Sequence, residues 1–157
     1  MSLGTPIITI ANQLFYYSNM FIPIRCDVNL PMPGYSLIEP DIHGRFGPTI
    51  ILNPTLIPDN ISIIAHILSH EWGHHVLGHM QDLNNSMQNL NNSMQNKENE
   101  ADAYAARFVK LHSYNVDDII NFMREHPVDL ENRIQILTDT EINRDTDSRS
   151  LSDNSSL

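Results

Sequence analysis

Apolar residues in the middle of the chain recur at helical spacing. In "IPDNISIIAHILSHEWGHHVLGHM", Ile63, Ile64, Ile67 and Leu68 share one helical face, and Pro58-Asp59-Asn60 supplies a helix start. The pattern predicts a helix over about 60–80. Just upstream, "GRFGPTIILNP" centres on Thr49, Ile50, Ile51 and Leu52, a largely β-branched run between turn formers, and predicts a strand. Nearer the N-terminus, an amphipathic run from Ile10 to Tyr17 precedes "MFIPIRCDVNL". There Ile22, Ile24, Cys26 and Val28 alternate as in a strand, until "PMPG" breaks the chain.

Three further helices are predicted downstream: "KENEADAYAARFVKLH", rich in Ala and Glu; "NVDDIINFMRE", with a capping residue at its start; and, beyond the His126-Pro127 break, "DLENRIQIL". Between the 60–80 helix and the first of these three, the heptapeptide "LNNSMQN" at 83–89 is repeated without error at 90–96. Its Leu and Met positions (83, 87, 90, 94) have 4-3-4 spacing, but Asn and Ser compete for backbone hydrogen bonds. Residues 81–97 therefore read as a mobile Asn-rich loop with nascent helicity, a place where added length is tolerated. From 139 onward "DTEINRDTDSRSLSDNSSL" has few apolar residues and reads as a disordered tail. Residues 1–138 are expected to form a single α+β domain, a helical core with a short sheet.

Composition narrows the function classes. The chain has 157 residues and a net charge of −10, with only nine Lys and Arg that never cluster, which argues against a nucleic-acid or anionic-membrane surface. The single cysteine, Cys26, cannot form an internal disulfide and reads as a partly buried structural thiol. No stretch approaches the ~18 uninterrupted apolar residues of a membrane helix. The N-terminus lacks the basic region and apolar run of a signal peptide, so the expectation is a soluble, cytoplasmic protein with no membrane insertion.

Candidate chemistry lies in "SHEWGHH", residues 69–75. His70 and His74 are four apart, hence one turn apart on the same helical face. Two neutral imidazoles so placed can bind one Zn²⁺ at about 2.0–2.1 Å. Glu71 comes one step round the helix, beside the first ligand but not itself a ligand. The arrangement is His-Glu-x-x-His, in which the glutamate serves as general base. In the next helix Glu98 and Asp102 are again four apart, and Ala101 and Ala105 beside them allow close helix packing. If that face crosses the His70/His74 face, Glu98 completes a His₂Glu set and leaves a fourth position for water. Asp102 then accepts the far N–H of a ligating imidazole, which fixes its tautomer.

"HEWGH" followed by "ENEADAYAA" resembles the Glu-x-x-Ala-Asp pattern of the gluzincin metallopeptidases of the HtpX and CAAX-prenyl-protease type. The resemblance runs over roughly 45–138 and continues in "EHPVDLENRIQIL", similar to that family's His-Pro stretch followed by an arginine, here Arg133. "TIILNP" and "EADAYAARF" also resemble the small, soluble ImmA-type metallopeptidases. The resemblance implies a zincin-like core, Glu98 as zinc ligand and Asp102 as support for a histidine. It also suggests His126 as a catalytic donor to the oxyanion, although a plain turn histidine before proline fits the same position. Tyr104 is a weaker candidate for that role and otherwise a core residue.

The remaining histidines read differently. His75 and His79 fall on other faces of the helix, and His79 reads as a C-terminal cap or an exposed side chain. His66 suits a core or ligand-supporting role. Trp72 and Val76 are expected in the core, and Gly73 at a close backbone approach. The expected activity is zinc-dependent endopeptidase cleavage of a peptide or unfolded protein, with the "TIIL" strand as an edge bordering the cleft and binding extended substrate by strand addition. The alternative is a non-catalytic, zinc-dependent regulatory or peptide-binding protein.

Overall fold

The computed structural model describes residues 3–81, 90–126 and 130–142. Among them are five α-helices and a small mixed sheet: α1 (Gly4–Ser18), β1 (Ile24–Cys26), β2 (Gly34–Pro40), β3 (Phe46–Leu52), α2 (Ile61–Val76), α3 (Leu90–Leu111), α4 (Val116–Glu125) and α5 (Leu130–Asp139), with a single 3₁₀ turn, His79–Gln81, after α2. The α+β expectation holds. No helix of the described residues is long and apolar enough to cross a membrane.

α2 runs through the middle of the molecule, and nearly all of it is buried, from Ser62 to His75. Asn60 caps it as expected: its side-chain oxygen accepts from the N–H groups of Ser62 and Ile63. The same side chain donates to Asp118 at 2.9 Å and so ties the start of α2 to α4. The helix ends at Val76, four residues before the predicted end, because Gly78 adopts φ +73°, a left-handed conformation that suits glycine. Beyond that turn the chain doubles back into the 3₁₀ segment. Trp72 is buried and donates to Ser18 Oγ at 2.9 Å, fastening α1 to α2. Val76, expected in the core, is 37% exposed, since it lies past the last turn covered by neighbouring elements.

The sheet has the order β1-β3-β2, with β1 parallel and β2 antiparallel to β3. The "TIIL" strand is therefore central rather than an edge, which corrects the sequence expectation. Its residues Ile50 and Leu52 join the core with α2, and Ile51 on the opposite face is buried too, which suits an almost unbroken apolar run. The edge beside the cleft is β2, a strand the apolar pattern does not reveal. Only Ser36 of β2 is buried, and Gly34 and Pro40 bound the strand. A turn signal was present: Asp41 Oδ1 accepts from the N–H groups of His43 and Arg45, and Gly44 has φ +74°, which closes the β2–β3 hairpin. β1 spans only three residues and keeps two of the four alternating positions, Ile24 and Cys26. Ile22 is buried, but Val28 and Cys26 are exposed, so the cysteine is not the partly buried thiol expected.

α3 begins at Leu90, so the second copy of the repeat, 90–96, is helical rather than loop. Extending a helix already anchored at Ala101, Ala105 and Ala106, all buried, costs one residue of order per hydrogen bond, which polar side chains can meet. The first copy, 83–89, lies outside the described residues, as does the tail from 143 on. α5 extends to Asp139, the first residue of the stretch read as tail.

Candidate metal centre

α3 packs along α2, with the small residues Ala101 and Ala105 buried at the contact. Close approach is helped from the other side by Gly73, where a Cβ would lie 3.0 Å from the Tyr104 ring. The contact is with this side chain and not with the neighbouring backbone expected of that glycine. It also packs Tyr104 against the core, its ring edge-on to Tyr17 at 5.5 Å between centroids.

The packing brings together the three predicted ligands. The Nε2 atoms of His70 and His74 lie 3.2 Å apart. Glu98 reaches both, with Oε2 3.2 Å from His70 Nε2 and Oε1 3.3 Å from His74 Nε2. One donor atom from each residue falls within 4.8 Å of the others, a group that could hold a metal ion. Donors about 2.0–2.1 Å from a tetrahedral ion are about 3.3 Å from one another, so the spacing fits. Both histidines are buried, whereas the Glu98 side chain is 54% exposed and opens the site toward solvent.

Asp102 is 2% exposed and stands behind His70, with Oδ1 2.8 Å from Nδ1, the contact expected of it. Arg133, carried by α5, donates to the same carboxylate through Nε and Nη2 at 2.8 and 2.9 Å. That fork closes the charge balance around the buried aspartate. Electrostatics follow. Burial opposes a charge on His70, but hydrogen bonds to Asp102 and Glu98 outweigh it, and the imidazole is pushed up to about 10. Both His70 and His74 hold Glu98 well below the usual carboxylate range. Without a cation, His70 carries the positive charge that the carboxylates demand. A divalent ion would replace the proton on Nε2 and leave the other proton on Nδ1, donated to Asp102.

Glu71 stands beside this triangle and lines the same cleft. Ser36 Oγ lies 2.7 Å from Glu71 Oε2 and 2.8 Å from the Glu71 carbonyl oxygen, so the edge strand holds the carboxylate. Gly34 touches it too: a Cβ there would lie 3.0 Å from Glu71 Cγ. The cleft has a volume of about 640 Å³ and runs between β2 and α3, past Met80 and Met94. A second cavity of about 230 Å³ continues on the far side of Glu71, where His66, Phe122, His126 and Arg133 contribute to its wall. His126 thus shares a cavity with Glu71. Its Nδ1 is 3.0 Å from the Phe122 carbonyl, which places a proton on Nδ1 and leaves Nε2 to donate only as imidazolium.

The histidines set aside in the sequence have roles of their own. His75 is buried, with Nε2 3.0 Å from the Thr49 carbonyl, and so pins α2 to the central strand. His79 is neither a helix cap nor exposed. The Gly78 turn carries it back under His74, where it is buried and Nδ1 faces Nδ1 at 3.0 Å. Helical periodicity could not reveal this, because the residue lies beyond the end of the helix. The chain matches no protein-family model, no curated protein and no solved structure, so what the site can do rests on its own geometry.

Proposed function

We propose that this protein is a zinc-dependent endopeptidase with a zincin-like core. The observation that carries the reading is the company Glu71 keeps: a carboxylate outside the donor triangle, held by Ser36, in a cleft walled by the open edge of β2. A purely structural metal site has no need of such a base, and three protein donors leave a tetrahedral ion one position to spare.

An extended peptide or unfolded chain would add to the free edge of β2 through main-chain hydrogen bonds. Zinc, when bound to His70, His74 and Glu98, would supply Lewis-acid polarisation of the scissile carbonyl and acidify water to a pKa of about 7. Ser36 engages Oε2 of Glu71, so Oε1 is the atom to accept the water proton and pass it to the leaving amine. Asp102 keeps the His70 tautomer fixed throughout. His126, which shares the second cavity with Glu71, would steady the oxyanion.

Glu71→Gln tests the proposal. The zinc-loaded chain is incubated with a denatured protein and the products are read by mass spectrometry. Wild type should cleave, and Glu71→Gln should not, while keeping one zinc per chain. A non-catalytic, zinc-dependent peptide binder would show no cleavage with either form and would bind peptide equally well with both.

A further inference from the structure

Each imidazole that faces the cation position has a second ring nitrogen that must be held. For His70 the holder is Asp102. For His74 it is a chain of two residues: Nδ1 of His74 lies 3.0 Å from Nδ1 of His79, and Nε2 of His79 lies 2.8 Å from Oε2 of Glu100. The His74 and His79 rings meet edge-on at 5.2 Å and are both buried, while the Glu100 side chain is 62% exposed at the surface of α3.

One assignment of protons satisfies every link. Ligation through Nε2 leaves the proton of His74 on Nδ1, which therefore donates to His79. His79 must accept at Nδ1, so its own proton sits on Nε2 and is donated to the Glu100 carboxylate. The backbone of the acceptor is fixed as well, since Lys97 Nζ donates to the His79 carbonyl at 3.2 Å.

We propose that His79 and Glu100 form a positioning relay that locks the tautomer and orientation of His74 for metal binding. Neither residue touches the ion. In this arrangement α3 supplies Glu98 as donor and supports both imidazoles, directly through Asp102 and by way of His79 through Glu100. The inference rests on the metal-binding part of the reading above and is independent of peptide hydrolysis.

Zinc affinity of the full chain, measured by competition with a chromophoric chelator, tests it. His79→Ala and Glu100→Ala should each weaken binding, by about 10–100-fold for His79→Ala. Glu100→Gln should recover most of the loss of Glu100→Ala, since an amide oxygen still accepts from His79 Nε2, and a purely structural role would show no such rescue. Long-range ¹H–¹⁵N spectra of the zinc-loaded wild type should show His79 neutral and protonated on Nε2. If wild type binds zinc but both alanine variants bind as tightly, or if His79 carries its proton on Nδ1, the relay is overturned. If wild type binds no zinc, the metal centre falls and the relay with it. Should His79→Ala fail to fold, the surface pair Glu100→Ala and Glu100→Gln still decides the matter.

Discussion

Nδ1 of His70 lies 2.8 Å from Oδ1 of Asp102, and the aspartate is almost wholly enclosed. A carboxylate in that position does two jobs: it holds the tautomer of one imidazole and neutralises Arg133, which grips it through two donors. The two jobs are separable. Asp102→Asn keeps an oxygen toward His70 but abandons the charge of Arg133, whereas Asp102→Ala loses both. Zinc affinity should fall by about 10–100-fold in Asp102→Ala and less in Asp102→Asn, with excess metal restoring occupancy. Stability of the metal-free chain in urea should fall in both, by about 1–3 kcal/mol, because a partly buried guanidinium is left unpaired. Equal zinc affinity in all three proteins would mean that the contact does not orient His70.

Gly34 offers a way to disturb the proposed base without touching a metal donor. A methyl group there would meet Glu71 Cγ at 3.0 Å and Ile67 Cγ2 at 3.2 Å. The helix side cannot retreat, since Ile67 is part of the core, so the carboxylate must turn away from Ser36. Gly34→Ala should keep stoichiometric zinc in elemental analysis while kcat falls by about 100-fold, the penalty for misplacing a reacting group by about an ångström. Loss of zinc together with activity would place Glu71 among the groups that hold the ion.

The donor triangle was legible in the sequence because its information is local. Residues four apart share a helical face wherever the helix goes, and Ala101 and Ala105 announce which face packs closely. What lay outside that rule was missed. β2 escaped because Ser36 is its one buried residue, which leaves no apolar alternation to read. The central place of β3 depends on a strand that had not been seen. His79 depends on the left-handed Gly78 turn, and its partner Glu100 on the register of another helix, so neither spacing nor composition brings them together.

The duplicated heptapeptide allows a deletion whose meaning is unusually clear. Because the copies are identical, removing either leaves the sequence of α3 unchanged and shortens only what joins it to the 3₁₀ turn. The first turns of α3 would have to open to span the gap. The side chain of Met94 there is 58% exposed, so little burial is lost, and loop closure changes by well under ~1 kcal/mol. Far-UV circular dichroism should report a small loss of helix, with zinc stoichiometry intact and the melting temperature within a few degrees of wild type. A chain that no longer holds zinc would show that residues before Glu98 set the register of the site.

Burial of His66 carries a pH signature. Among the described residues neither of its ring nitrogens has a partner, and burial drives its titration from the ordinary 6.5 down to about 3. Between those values the unfolded chain holds a proton on this residue that the folded chain does not. Stability contributed by the neutral ring is therefore complete above pH 6.5 and is lost as pH falls toward 3, at no more than about 1.4 kcal/mol per pH unit. His66→Phe keeps an aromatic ring in the core and removes both the titration and the unpaired nitrogens. The variant should be more stable at pH 7 by about 1–3 kcal/mol. Between pH 7 and pH 5 it should also lose about 2 kcal/mol less than wild type, the remaining slope coming from groups shared by both proteins. Urea unfolding of the metal-free proteins at the two pH values measures the difference directly. If wild type and His66→Phe lose the same stability over that interval, His66 is not held neutral in the folded chain, and a proton or a polar partner reaches its ring.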